Sequence, residues 1–165
     1  MAKATLPADL PLWHPAVWLS TWFGSGLLPV APGTWGSLAA LPFAWVILTE
    51  IGPWGLAAAA VLAFAAGLWA AGRYVRDRAE KDPGSVVIDE VAGQWLTLLA
   101  AAPGELWHFA TGFLLFRLFD IVKPWPVRLV ERRFAGGLGI MGDDVAAAIY
   151  AGVFAYVLFN IETLT

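Results

Sequence analysis

The sequence predicts an all-α protein that crosses a membrane several times, with about five apolar helices. Hydrophobic residues make up 59% of the 165 residues and charged residues only 14%, and the mean hydropathy is +0.69, well above that of soluble domains. The polar breaks at residues 73–85 and 123–144 hold most of the Lys and Arg residues, whereas the breaks near residues 52–53 and 103–104 hold none. This alternation is the positive-inside pattern, so the basic breaks are expected in the cytoplasm.

The first 33 residues are predicted to be irregular, because five prolines prevent a long helix there. Within them, residues 12–23 are expected to form a short amphipathic piece lying on the membrane surface. Trp13, Trp18 and Trp22 would anchor it, since tryptophan concentrates at the lipid–water interface.

The whole chain, residues 1–165, is expected to form a single domain. After residue 33, the sequence predicts helices at about residues 34–50, 54–72, 86–102, 105–122 and 144–159. Pro42 is expected to kink the first of these helices, and Pro124 and Pro126 to end the fourth. The third and fourth have about the minimum length for crossing a hydrocarbon core of roughly 30 Å. Residues 136–142, rich in glycine, are expected to form a loop. Five spans from a cytoplasmic N-terminus place the C-terminus outside.

Composition excludes several classes of function. The chain contains no cysteine, which rules out disulfides, zinc–thiolate sites and cysteine nucleophiles. It also lacks the G-x-x-x-x-G-K-[ST] motif of nucleotide hydrolysis. The net charge of −3 says little, because the distribution of the charges matters more than their sum. The expected partners are the lipid bilayer and a phospholipid substrate, and no nucleic acid. His14 and His108 belong to no polar cluster and are interpreted as structural.

The first of four polar clusters is APGTWGS, residues 31–37, where a helix is expected to start. Thr34 and Ser37 lie where free backbone N–H groups and the helix dipole can bind a phosphate. The alternative is that Thr34 is simply the N-cap of the helix.

The second cluster is the pair Asp89 and Glu90 within VVIDEVAG. Two carboxylates just inside an apolar helix are costly unless they are paired or bind a cation, which favours a functional role. The alternative is a solvated acidic pair at the membrane surface.

The third cluster is FRLFDIVKPWP, residues 116–126. Arg117 and Asp120 are three residues apart on one helix face, and Lys123 lies a further turn along, so a carboxylate is flanked by two cations. An intrahelical ion pair that lets charges enter the interface cheaply is an equally good interpretation.

The fourth cluster is GLGIMGDDVAA, in which Asp143 and Asp144 follow the glycines. Adjacent carboxylates suit a hard divalent cation such as Mg²⁺. The alternative is that one of them caps the last helix.

The predicted topology places Thr34, Asp89, Asp120 and Asp143 at cytoplasmic helix ends, so all four clusters converge on one membrane face. Carboxylates for Mg²⁺, cations for an anionic group and helix starts for phosphate are the parts that phosphoryl chemistry requires.

With these residues assembled, the chain resembles the bacterial phosphatidylglycerophosphatase A family. The resemblance rests on four blocks in the family's order: GLLPVAPGTWGSLAALP (residues 26–42), VVIDEVAGQW (86–95), FRLFDIVKPWP (116–126) and GGLGIMGDDVAAAIYAG (136–152). It implies an enzyme that uses Mg²⁺ to remove the terminal phosphate of phosphatidylglycerophosphate, giving phosphatidylglycerol. Together with the basic loops, this predicts a bacterial inner-membrane protein whose active site faces the cytoplasm.

The expected roles follow from the matched motifs and the chemistry of their residues. Mg²⁺ would be held by some of Asp89, Asp120, Asp143 and Asp144, with Glu90 as general base and Asp89, Asp120 and Lys123 also in the catalytic set. Phosphate oxygens would be bound by Thr34, Ser37, Arg117 and Lys123. A water nucleophile is the simplest mechanism, and an Asp nucleophile stays open.

Two other functions are compatible with an apolar chain of this kind. A non-catalytic membrane component, such as a small transporter subunit or assembly factor, would place ionisable residues near the middle of its spans. A phosphotransferase acting on lipid head groups would carry a D-G-x-x-A-R run, which this chain lacks.

Overall fold

The fold is entirely helical over the residues that the structure describes. This computed structural model describes residues 6–7, 9–76, 78, 80 and 82–161, without the side chains of residues 131 and 132. The helices are α1 (Pro15–Ser20), α2 (Pro32–Glu50), α3 (Pro53–Val75), α4 (Ile88–Thr97), α5 (Leu106–Val122), α6 (Val127–Arg133) and α7 (Gly136–Ile161). Short 3-10 turns, Ser25–Leu27 and Leu98–Ala100, precede α2 and extend α4. The prediction of an all-α fold is confirmed, while Lys81 of the predicted basic loop lies outside the described residues.

Helix α4 forms the centre of the molecule and contacts α2, α3, α5 and α7. Eight of its 10 residues are buried, which explains why its sequence is apolar on nearly every side. At a rise of about 1.5 Å per residue, such a helix is roughly 15 Å long and cannot cross a bilayer. The sequence prediction of a membrane span at residues 86–102 is therefore replaced by a short helix enclosed by its neighbours.

Two of the described helices, α3 and α7, are long and apolar enough to cross a membrane. Only 33% of the most apolar stretch of each is buried inside the protein, so most of both surfaces faces outward. Large apolar side chains such as Leu62 on α3 and Ile149 on α7 are more than 60% exposed. An outward-facing apolar surface of this kind is what lipid contact requires, and the protein is membrane-associated.

The long helices alternate in direction, so their ends gather at two opposite poles. The start of α7 packs on the end of α3, where Gly137 lies against the backbone of Leu68. At the other pole the start of α5 meets the end of α7, because the ring of His108 stacks on Phe159 with centroids 3.8 Å apart. His108 Nδ1 also accepts a hydrogen bond from the backbone of Ala102 at 2.9 Å, which is a structural role.

The segment before α2 is less irregular than the sequence suggested. Helix α1 is capped by His14, whose Nδ1 accepts a hydrogen bond from Ala16 N at 3.1 Å. Trp13 is 79% exposed, but Trp22 is 8% exposed and packs edge-on against Trp95 with ring centroids 5.5 Å apart. The prediction that Trp22 anchors the chain at the membrane surface is therefore wrong, because α4 offers it an aromatic partner inside the protein.

The glycine-rich segment at residues 136–142 is helical, which corrects the predicted loop. It forms the first two turns of α7, although glycine disfavours helices by roughly 1 kcal/mol per residue relative to alanine. A Cβ at position 137 would overlap the carbonyl oxygen of Leu68, so only glycine lets α3 and α7 approach this closely. Tertiary packing overrides the local propensity here.

Candidate active site

The start of α4 contributes the first two carboxylates of the candidate site. Asp89 and Glu90 occupy the first turn of the helix, where the free N–H groups and the helix dipole favour negative charge. Asp89 is only 7% exposed. The backbone N–H of Val87, just before the helix, donates to the carbonyl of Ser20 at 2.7 Å and fixes this end of α4 to α1.

Helix α7 adds a third carboxylate to this pair. Carboxylate oxygens of Asp89, Glu90 and Asp144 all lie within 4.8 Å of one another, and Asp144 is 3% exposed. Each of the three has one buried oxygen without a hydrogen-bond partner. Unpaired buried carboxylate oxygens are costly, so this acidic cluster, defined as Asp89, Glu90 and Asp144, needs a cation or protons to stabilise it.

Helix α5 places an arginine beside the acidic cluster. Arg117 Nη1 lies 2.8 Å from Asp120 Oδ2 and 3.7 Å from Glu90 Oε1, and it donates to Ser37 Oγ on α2 at 3.3 Å. Ser37 in turn donates to the carbonyl of Gly33 at 3.0 Å. The guanidinium thus joins α2, α4 and α5, and the hydroxyl of Ser37 orients it.

A second cation, Lys123, closes the other side of the site. It is the C-cap of α5 in a left-handed conformation, at φ 46°, and its Nζ lies 2.6 Å from Asp143 Oδ2. Asp143 and Asp144 lie two turns inside α7, because the helix begins at Gly136. The alternative that one of them caps the last helix is therefore wrong, and the two adjacent side chains contact different partners, about 100° apart around the helix.

The start of α2 forms a wall of the site. The N-cap is Ala31, at φ 48°, and the helix begins at Pro32, so Thr34 is in the first turn and the interpretation of Thr34 as the N-cap is wrong. A Cβ at Gly33 would overlap the carboxylate oxygen of Glu90. The absence of a side chain at position 33 therefore lets α2 approach the acidic cluster.

Burial controls the protonation of the acids on α4. It raises the pKa of the Asp89 carboxyl well above its usual range, and the neighbouring charges of Glu90 and Asp144 raise it further. Burial raises the pKa of Glu90 to about 7, against the lowering effects of the Asp89 hydrogen bond and the Arg117 charge. Without a cation, both groups therefore retain protons at pH values where free carboxyls are ionised.

The acidic cluster fits a hard divalent cation. Three carboxylates from two helices converge, and their unpaired oxygens are the type of ligand that Mg²⁺ takes. Among the four predicted metal ligands, Asp89 and Asp144 lie in this cluster and Glu90 joins them. Asp120 pairs with Arg117 and Asp143 with Lys123. The Asp120 carboxyl also contacts that of Asp144, so Asp120 directly adjoins the acidic cluster.

Two features of the site are not indicated by the sequence motifs. The first is Gly33, which lies beside the predicted phosphate-binding residues and contacts the acidic cluster. Gln94, one turn beyond Glu90 on the same face of α4, is fully buried and neither of its amide atoms has a hydrogen-bond partner. A glutamine four residues after a carboxylate in an apolar helix was the signal that could have revealed a polar interior below the site.

Comparison with known proteins identifies the family. A family model described as Phosphatidylglycerophosphatase A matches residues 18–159, which include every residue of the site. The chain belongs to this family, which confirms the resemblance found in its motifs. No solved structure matches it.

Three relatives are similar over most of the chain. "Phosphatidylglycerophosphatase A" of Escherichia coli strain K12 is 42% identical, over 95% of this chain and 89% of the relative. The Haemophilus influenzae protein of the same name is 39% identical, over 90% of this chain and 91% of the relative. A Bacteroides thetaiotaomicron protein named "Putative phosphatidylinositol-3-phosphatase" is 43% identical, over 88% of this chain and 91% of the relative. The chain is thus similar over most of its length to proteins that are named as lipid phosphatases.

Proposed function

We propose that the protein hydrolyses the terminal phosphate of phosphatidylglycerophosphate, giving phosphatidylglycerol and inorganic phosphate, with Mg²⁺ bound at the acidic cluster. The single observation that carries the proposal is the convergence of Asp89, Glu90 and Asp144 beside Arg117 in a member of the phosphatidylglycerophosphatase A family. Two of the three relatives described above carry that activity in their names.

The residues divide into two groups by charge. Asp89 and Asp144 would hold the metal, which supplies Lewis-acid neutralisation of the phosphate charge. Arg117 and Lys123 would bind phosphate oxygens from the other side, each kept in place by a carboxylate, Asp120 or Asp143. A phosphate monoester would thus meet cationic charge on two sides, which is the electrostatic requirement of phosphoryl transfer.

Glu90 is proposed as the general base. One of its oxygens faces Arg117 at 3.7 Å and the other has no partner, so the carboxylate lies between the metal ligands and the phosphate-binding arginine. From there it can accept a proton from the water that attacks phosphorus. Thr34, half-buried in the first turn of α2, would contribute its hydroxyl and backbone N–H to a phosphate oxygen. Ser37 would act through Arg117.

The active site is proposed to face the cytoplasm in a bacterial inner membrane. Arg73 at the end of α3, Lys123 at the end of α5 and Arg133 at the end of α6 belong to the same pole as the acidic cluster. The positive-inside rule assigns this pole to the cytoplasmic side.

The decisive experiment is phosphate release by the purified protein in detergent from phosphatidylglycerophosphate, with and without Mg²⁺. Phosphatidylinositol 3-phosphate is the second substrate to assay, because the 43% identical Bacteroides relative is named for that activity. Faster release from the inositol lipid would assign that head group instead. Absence of release from both lipids would favour a non-catalytic membrane component.

A further inference from the structure

An apolar groove with a volume of about 490 Å³ runs between α2 and α5. All of its lining side chains are apolar, among them Leu38, Pro42 and Trp45 of α2 and Phe109, Phe113 and Leu114 of α5. Its volume lies within the range of small-molecule binding sites.

The groove exists because α2 and α5 touch near its two ends. At one end Arg117 Nη1 donates to Ser37 Oγ at 3.3 Å, and at the other the rings of Trp45 and Phe109 pack with centroids 4.9 Å apart. Between them Pro42 lies inside α2, where it has no N–H to donate and leaves the carbonyl of Leu38 without its helical partner. The helices therefore enclose a slot instead of packing along their whole length.

One end of the groove opens at the active site. Leu38 directly follows Ser37, and Leu114 lies one turn before Arg117, so the lining begins at the residues that hold the phosphate-binding arginine. In a phospholipid, the chains and the phosphate are joined through a glycerol. A head group whose phosphate lies on Arg117 would therefore direct a chain along this slot.

We propose that the groove between α2 and α5 binds an acyl chain of the lipid substrate during catalysis. This inference rests on the proposed function as a lipid phosphatase and adds the part of the site that selects the apolar half of the substrate. The lined stretch of α5, from Leu106 to Leu114, rises about 12 Å. A slot of this length bounded by helix contacts accommodates one hydrocarbon chain, whereas a docking helix needs an interaxial distance of about 8–10 Å from both neighbours.

The test is chain-length selectivity in a variant whose groove is filled. Ala110 lines the groove and is exposed, so Ala110→Trp adds bulk there without entering the core. The matched control is Ala58→Trp, which makes the same change at an exposed position in the second turn of α3, outside the groove. The substrates are phosphatidylglycerophosphate with two palmitoyl chains and the same lipid with two butanoyl chains, both in detergent with Mg²⁺.

The expected result is that Ala110→Trp lowers kcat/KM for the palmitoyl substrate about tenfold more than for the butanoyl substrate, since a few methylene contacts carry an effect of this size. Ala58→Trp should leave the ratio of the two kcat/KM values unchanged. Equal losses on both substrates, no loss on either, or the same change in ratio for Ala58→Trp would each overturn the acyl-chain assignment. A wild-type protein that released phosphate from neither lipid would instead overturn the proposed function, so the two failures are distinguishable.

A second pair of variants covers the case in which Ala110→Trp does not fold. Leu114 of the groove and Leu62 of α3 are 66% and 68% exposed, so Leu114→Trp and Leu62→Trp are matched in both bulk and exposure. The acyl-chain assignment predicts that the first shifts the palmitoyl-to-butanoyl ratio and the second does not. Equal ratios for these two variants would contradict it.

Discussion

Gly33 in the first turn of α2 lies so close to Glu90 of α4 that a Cβ at position 33 would overlap the carboxylate oxygen. The same Cβ would lie 3.2 Å from the guanidinium of Arg117. The start of α2 is therefore fitted against both the acid and the cation of the proposed site. This contact makes the position of Glu90 dependent on a residue that has no side chain.

Gly33→Ala is expected to lower kcat by about tenfold or more, because displacing a catalytic group by about 1 Å is costly. The measurement is phosphate release with saturating Mg²⁺, beside the thermal stability of the variant in detergent. Gly152→Ala is the control, since a Cβ there would be 3.8 Å from Thr97 Cα, an ordinary contact. Near-normal turnover of Gly33→Ala would mean that Glu90 tolerates displacement and is not the general base.

The bounds of the long helices α2, α3 and α5 were predictable to within a few residues, because their signals are local. The predicted helix at residues 105–122 corresponds to Leu106–Val122 in the structure, since Pro103-Gly104 interrupts the pattern before it and Pro124 follows it. The four motif blocks also contained the acids that α4 and α7 bring together. Composition and the positions of the prolines were sufficient to predict these helices.

What could not be predicted depends on contacts between distant segments. Residues 136–142 looked like a loop because glycine disfavours helices, and only the close approach of Gly137 to Leu68 on α3 explains why they are helical. The contacts between side chains within the site could not be predicted either. Asp143 and Asp144 are adjacent in sequence, yet Asp143 pairs with Lys123 whereas Asp144 belongs to the acidic cluster. Spacing in the sequence does not indicate which of two adjacent acids contacts which partner.

Removal of the metal should abolish activity, and substitutions of the three acids of the cluster should have different effects. EDTA is expected to stop phosphate release and Mg²⁺ to restore it. Asp89→Asn and Asp144→Asn should each lower turnover by about 10²-fold or more and raise the Mg²⁺ concentration needed for half-maximal activity, because each loses a charged ligand. Glu90→Gln should lower kcat without changing that Mg²⁺ concentration.

Glu50→Gln serves as the control for this series, since Glu50 is exposed at the end of α2 far from the acidic cluster. Undiminished turnover after thorough chelation would make the acidic cluster structural. A Glu90→Gln variant with an increased Mg²⁺ requirement would turn Glu90 from general base into metal ligand.

Protonation of Glu90 should make the stability of the metal-free protein depend on pH. Its pKa is about 7 when folded and 4.5 ordinarily, so the folded state holds a proton that the unfolded chain has already released. The stabilising contribution is fully present below about pH 4.5 and is lost as pH rises to about 7, with a slope of at most ~1.4 kcal/mol per pH unit for one proton.

Thermal unfolding in EDTA and detergent between pH 4 and pH 8 measures this dependence. Stability should fall across that window in the wild type, and Glu90→Gln, which cannot ionise, should show a shallower fall. Saturating Mg²⁺ should oppose the fall, because a cation favours the ionised carboxylates. An identical pH dependence in wild type and Glu90→Gln would show that Glu90 ionises normally.

The orientation in the membrane can be measured directly, because the chain has no cysteine. Glu105 precedes α5 at one pole and Ala135 precedes α7 at the other, and both are exposed. With the active site in the cytoplasm, a membrane-impermeant thiol reagent should label Glu105→Cys in intact spheroplasts, and Ala135→Cys only after the membrane is opened. Labelling of Ala135→Cys in intact spheroplasts would reverse the proposed orientation.

The pairing of Lys123 with Asp143 allows structural and catalytic roles to be separated. Lys123→Met should destabilise the protein by roughly 2 kcal/mol, less than the ~3–5 kcal/mol of a fully buried pair, because the lysine side chain is 22% exposed. Adding Asp143→Asn removes the unpaired carboxylate and should recover most of that stability, as measured by thermal unfolding. If Lys123 also binds phosphate oxygens, the activity of the double variant should remain about 10²-fold below that of the wild type. Recovery of turnover together with stability would show that Lys123 only neutralises Asp143, and phosphate binding would then rest on Arg117.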